Sequence, residues 1–136
     1  MRLHGRLPNA RTCPLIYTFE VDDDDIEREK MQRALCAEMK VDFRASPSDW
    51  ISGFALKTKG RVPLNGLRHP TTPGTTGWYL WCGEESSEAG DFYQPTHTKH
   101  LYQDFPEAAK LLGLPPGHRF ILADDYMDVW FDPKLI

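Results

Sequence analysis

The sequence predicts an α+β fold: a single domain, mainly antiparallel sheet, with one longer N-terminal helix and short helices near residues 96–112. Three observations predict it. Alternating runs of aromatic and β-branched residues recur along the chain, one stretch after an aspartate tract switches to helical spacing, and 11 prolines among 136 residues divide the rest into turns. A chain of this length fits one domain, residues 1–136, and buries roughly two-thirds of its unfolded surface.

Residues 15–21 read as a strand, because Tyr17, Phe19 and Val21 alternate with Ile16, Thr18 and Glu20. Asp22, Asp23, Asp24 and Asp25 then cap a helix at the end where its dipole favours acid, with Ile26, Met31, Ala34, Leu35 and Met39 as its inward face. The break at Ser46, Pro47, Ser48 and Asp49 precedes a strand through Trp50, Ile51, Phe54 and Leu56. A turn at Lys59-Gly60 and a return over residues 61–64 make this a hairpin. Residues 65–77, rich in Thr, Pro and Gly, read as a long loop.

The next strand, residues 77–83, sends Trp78, Leu80 and Cys82 one way and Tyr79 and Trp81 the other. Apolar residues on both faces imply a strand covered on each side, or one face open to a partner. After an acidic loop at 84–91, residues 96–102 and 106–112 read as short helices, with Pro106 in a first turn and Gly113 as a stop. Residues 119–123 and 127–131 read as two strands joined tightly at Asp124-Asp125. Trp78, Phe120, Ile121, Val129 and Phe131 are expected in the core.

Charge is uneven: residues 1–72 hold 12 Lys/Arg against 10 Asp/Glu, and residues 73–136 hold 4 against 10. An acidic half repels phosphate and attracts cations, so a nucleic-acid partner is not expected there. Lys57, Lys59, Arg61 and Arg68 form a basic group near the hairpin, without the interleaved aromatics that nucleic acid stacks on. Cys13, Cys36 and Cys82 are odd in number and lack a Cys-x-x-Cys pair, so neither a disulfide scaffold nor a zinc ribbon is expected. No apolar run suits a signal peptide or a membrane span, which leaves a reduced, cytoplasmic protein as the expectation.

Catalytic patterns are sparse. The aspartate tract lacks the alternate ligands, turn glycine and distant glutamate of a calcium loop. His97 and His100 are spaced to face one metal, with His118 or a nearby acid as a third ligand, and this keeps a small metal-dependent enzyme open as the alternative. Cys82 reads as packing, and Ser86 and Ser87 lie among acids that oppose an oxyanion. Carboxylate pairs such as Asp124 with Asp128, or Glu85 with Glu88, have no spacing that marks acid-base catalysis. The Gly113-Leu114-Pro115-Pro116-Gly117 run lacks the N–H donors of a phosphate loop.

The ordered set Phe54-Ala55-Leu56, Arg61-Val62-Pro63-Leu64, residues 75–85, Asp91-Phe92-Tyr93-Gln94-Pro95, His100-Leu101, residues 112–117 and Asp128-Val129-Trp130-Phe131-Asp132 resembles a bacterial family. It is similar to the immunity-protein-thirty-three-like proteins, related to a domain of unknown function, over roughly residues 50–133. One departure is His118, which stands where the pattern leads one to expect an aromatic. The resemblance implies a non-catalytic, cytoplasmic protein that neutralises a polymorphic toxin by occluding its functional surface. No catalytic residue is carried over from the family, and no cofactor or metal is expected.

A nuclease-type toxin surface is basic, and acid beside aromatics supplies both steering and anchoring. The expected partner-binding residues are therefore Trp81, Glu84, Glu85, Glu88, Asp91, Asp124, Asp125 and Asp128. The expected partner is a cognate protein toxin with a basic surface, and neither nucleic acid nor membrane. A regulatory or scaffold domain is the other reading left open.

Overall fold

In the computed structural model, which describes residues 3–5, 21–87 and 89–136, the strands are β1 (Leu3–Gly5), β2 (Ile51–Phe54), β3 (Leu64–Arg68), β4 (Thr75–Cys82), β5 (Gln94–His97), β6 (His118–Ala123) and β7 (Tyr126–Phe131). The helices are α1 (Val21–Met39) and α2 (Thr98–Asp104), with 3₁₀ segments at Leu56–Thr58, Pro106–Gly113 and Pro133–Leu135. The strands join in one sheet, in the order β1-β7-β6-β3-β4-β2-β5. All pairings are antiparallel except β2 with β4. The α+β class read from the sequence holds.

The aspartate tract falls inside the first turns of α1, where the dipole favours it, because the helix already starts at Val21. Its buried face is Gln32, Leu35, Cys36 and Met39, at the spacing that puts side chains over one another. Ile26 and Met31 are about half exposed and Ala34 is exposed, which corrects the expected inward face. The reason is the neighbour: Gln32 Nε2 donates to Ala109 O at 2.9 Å, and the Cys36 thiol to Gly113 O at 3.3 Å, so these positions turn toward the Pro106–Gly113 segment. Lys40, at φ 60°, ends the helix while Val41 N–H donates back to Cys36 O at 2.9 Å.

One sheet face is covered by these helical segments. Phe54, Leu64, Trp78, Leu80, Phe120, Leu122, Met127 and Val129 meet Leu35, Met39, Leu101, Leu111, Leu112 and Leu114 there in one core. Burial of each such side chain contributes about 1.5–3 kcal/mol. Expected core members Trp78, Phe120 and Val129 are at 0–1% exposure, whereas Ile121 is half-buried on the other face and Phe131, near the chain end, is 42% exposed. His118 occupies the aromatic's place as an aromatic would, edge-on to Phe131 with centroids 5.4 Å apart.

The hairpin expected over 50–64 does not form. β4 inserts between its two arms, pairing with β2 in parallel and with β3 in antiparallel fashion. The Thr58 hydroxyl explains the turn: it donates to Ala55 O at 2.7 Å and accepts Cys82 N–H at 2.8 Å, diverting the chain under β4. The long loop expected over 65–77 shrinks, since β3 extends to Arg68 and β4 begins at Thr75. Thr96 and His97, expected in a helix, belong to β5. The strand expected over 15–21 lies outside the described residues up to position 20, and Val21 belongs to α1.

Arg68 sits beneath this sheet rather than in a basic surface group, at 0% exposure. Its guanidinium donates to the carbonyls of Thr76 (2.8 Å), Arg44 (2.9 Å), Ala45 (2.9 Å) and Leu114 (2.7 Å). Three segments distant in sequence are thereby tied to β3. Burial draws its pKa down to about 10, which still leaves it cationic at neutral pH.

Candidate functional site

Strand alternation gives the sheet a second face, away from the helices, and register orders it into rows. One row crosses the sheet as Trp130, Arg119, Leu67, Tyr79 and Gly53, and the next as Asp128, Ile121, Asn65 and Trp81. The segment after β4 folds back over the second row, so that Phe92 packs with Ala55 and Trp81, flanked by Leu67 and Tyr93. Half of the face is closed by this small cluster. Trp81 is only 5% exposed, and among the described residues its Nε1 is the one buried side-chain nitrogen or oxygen without a hydrogen-bond partner.

The remaining half stays open. Tyr79, 36% exposed, stands between His69 and Tyr93, with ring centroids 5.5 and 5.1 Å away and planes at 80° and 70°. On one side of it lies a trough of about 520 Å³ lined by Ile51, Gly53, His69, Gly77, Tyr93 and Gln94 among others. Another, of about 440 Å³, lies on the side of Leu67, Ser86, Ser87 and Arg119. Burial pushes the Tyr93 phenol up to about 12, against the lowering effect of Arg119, so it stays neutral across physiological pH.

Two glycines make the first trough. A Cβ on Gly53 would lie 2.6 Å from the Tyr79 ring, which rests on that bare backbone. Gly77 has φ +88°, and a Cβ there would lie 2.1 Å from His69 O. It sits where the β2–β4 register shifts, with Ile51 opposite Thr75 but Gly53 opposite Tyr79. Such bulges re-aim side chains at the edge of sites.

The acids gather elsewhere, at one end of the sheet. Leu64 pairs with Cys82 on one side and Leu122 on the other, so β4 and β6 finish together, roughly 10 Å apart. Glu84 and Glu85 follow the first strand, Asp124 and Asp125 lie in the turn after the second, and all four are exposed. Asn65 stiffens the root of this end: its Nδ2 donates to Gly83 O at 2.6 Å and to Pro63 O at 3.2 Å. Asp91 is exposed beyond the loop, whereas Asp128 is 3% exposed within the sheet, and Glu88 lies outside the described residues.

The model of the Imm33-like domain matches residues 31–132. The chain belongs to the Imm33-like family. No curated protein and no solved structure matches it. The match begins at residue 31, so the family region takes in the second half of α1 and not only the sheet. Membership makes this an immunity-type protein, of a kind that in general binds a cognate toxin.

Within this Imm33-like fold, the three histidines that the metal-dependent alternative would bring together do not converge. His97 and His100 are exposed with centroids 6.3 Å apart, but His118 lies in β6, four strands along the sheet from β5, and is buried at 3% exposure. Its Nδ1–H donates to Pro115 O at 3.0 Å, and burial lowers its pKa. Among the described residues no group of three or more His, Cys, Asp or Glu side chains is placed to hold a metal ion. Burial likewise pushes the Cys36 and Cys82 thiols up, away from nucleophilic thiolate. Among the described residues no helix is long and apolar enough to cross a membrane.

Sequence reasoning missed Tyr93, His69 and Arg119 as residues of the open face. The signal for Tyr79 was present in strand alternation. For the others it was absent, because two separate loop positions, after β3 and before β5, and strand β6 bring them together.

Proposed function

We propose that this immunity-type protein acts in the cytoplasm by binding a cognate toxin with a basic functional surface and occluding that surface, without catalysis of its own. One observation carries the reading: the pairing of Leu64 with both Cys82 and Leu122 gathers Glu84, Glu85, Asp124 and Asp125 at one sheet end. Asp91 extends the acid along the loop. Four exposed carboxylates at one sheet end form a negative patch whose reach is the Debye length, about 8–10 Å at physiological salt and longer at low salt. Such a patch raises the association rate with a basic partner and falls in influence with salt. Trp81 supports the loop from beneath, and Asp128 lies within the sheet, so neither is assigned direct contact.

The experiment screens the products of neighbouring genes for a toxin that the protein binds, and measures growth protection, association rate and dissociation constant over a salt series. The variant Glu84→Lys, Glu85→Lys, Asp124→Lys, Asp125→Lys should associate at least tenfold more slowly at low salt and lose most of the salt dependence. Unchanged rates and unchanged protection would reject the acidic end as the contact surface.

A further inference from the structure

We infer that the trough between Tyr79, His69 and Tyr93 receives a cationic side chain, an arginine of the bound protein. This rests on the toxin-binding reading and adds to it a second contact of different chemistry. Two nearly perpendicular ring pairs surround the opening, Tyr79 with His69 and Tyr79 with Tyr93. Aromatic faces carry negative electrostatic potential and hold a guanidinium within about 6 Å of the ring centre.

Charge decides what such a trough admits. Among the described residues no Lys, Arg, Asp or Glu lines it, so an anion meets no cationic partner there. Arg119 lines the other trough, which shares His69, Tyr79 and Tyr93 with this one. It is held by Asp132 at 3.2 Å and stacks over Trp130 at 5.7 Å. One wall is Gly90, followed directly in the chain by exposed Asp91. The floor is bare backbone at Gly53 and Gly77, and the volume of about 520 Å³ accommodates a long side chain with its flanking peptide.

The trough is thus shaped for a long basic side chain and walled by aromatic rings. The acidic end steers a basic protein toward this face over a long range, and the rings hold one of its side chains at short range. Two contacts of such different character respond differently to salt.

The test uses the full-length protein and two peptides, acetyl-Gly-Arg-Gly-amide and its citrulline twin, followed by NMR titration. Citrulline keeps the shape and loses the charge. The arginine peptide should shift the Gly53 and Gly77 amides and the Tyr79 and Tyr93 ring signals saturably, with the citrulline peptide about tenfold weaker, a difference of about 1.4 kcal/mol. Tyr79→Phe should retain binding, Tyr79→Leu should lose at least fivefold, and Gly53→Ala, which displaces the Tyr79 ring, should fall between them. Equal binding of the two peptides, no loss in Tyr79→Leu, or shifts confined to Glu84, Glu85 and the 124–125 turn would overturn the assignment. With the toxin itself, Tyr79→Leu should weaken the complex without altering its salt slope. A toxin complex indifferent to Tyr79→Leu but sensitive to the acidic reversals removes the trough and keeps the proposed function, whereas peptide binding without any toxin binding does the opposite.

Discussion

Replacing Arg68 by methionine is expected to remove about 4 kcal/mol of stability, through the backbone carbonyls to which its side chain donates. The guanidinium donates to four carbonyls within 2.9 Å, and a fifth, Leu112 O at 3.5 Å, already accepts Ser46 Oγ at 2.6 Å and Trp78 Nε1 at 3.0 Å. Leaving four acceptors short of a donor at about 1 kcal/mol each gives the total, since methionine fills most of the apolar volume. That is a large share of the roughly 5–15 kcal/mol that a domain has. Lysine tests the cause. Its single ammonium keeps the charge but cannot span carbonyls that lie on three separate segments, so Arg68→Lys should fall within about 1 kcal/mol of Arg68→Met. Urea unfolding followed by tryptophan fluorescence reads both from the midpoint and slope. An Arg68→Lys protein within about 1 kcal/mol of wild type would refute the reasoning, because a point charge would then suffice where the fork is claimed to be needed.

Three further outcomes follow from the same structure. His118 has a pKa lowered from 6.5 by burial, so the unfolded chain binds the proton more readily and stability falls as pH drops below about 6.5. The slope is at most about 1.4 kcal/mol per pH unit, and His118→Phe should abolish it between pH 6.5 and 5 in denaturant titrations. Trp78→Phe should cost about 1–2 kcal/mol more than Trp81→Phe, because Trp78 Nε1 donates to Leu112 O at 3.0 Å whereas Trp81 Nε1 has no partner among the described residues; equal melting shifts would contradict this. Gly77→Ala combines a positive φ with a 2.1 Å approach to His69 O and should destabilise by more than about 3 kcal/mol. Gly74→Ala, with φ +84° and nothing within 4 Å, should cost only about 1 kcal/mol, as thermal unfolding of the pair would report.

The sequence reached much of this by local physics. Alternation in 77–83 separated Trp78, Leu80 and Cys82 from Tyr79 and Trp81, and the observed faces follow it because a strand has no freedom to do otherwise. The strands read at 119–123 and 127–131, each one residue longer at its start in the structure, and their Asp124-Asp125 turn were equally legible. The α1 face was not, since helical spacing admits several apolar stripes in 21–39 and only the contact with Pro106–Gly113 selects the one through Gln32 and Cys36. Nor was the fate of the arms at 50–64, where strand propensity names no partner and the insertion of β4 is a long-range event.

The same division runs through the candidate site. Composition alone established that the second half is acidic and aromatic, because charge and ring content are properties of residues wherever they sit. Position was the work of tertiary structure. Register around Leu64 brought Glu84 and Asp125 to one end, the fold-back of Phe92 took Trp81 out of solvent, and burial made Arg68 a tie between segments instead of a surface cation. Each depends on which distant segment pairs with which, and that is set by the total burial of the chain rather than by any window of it.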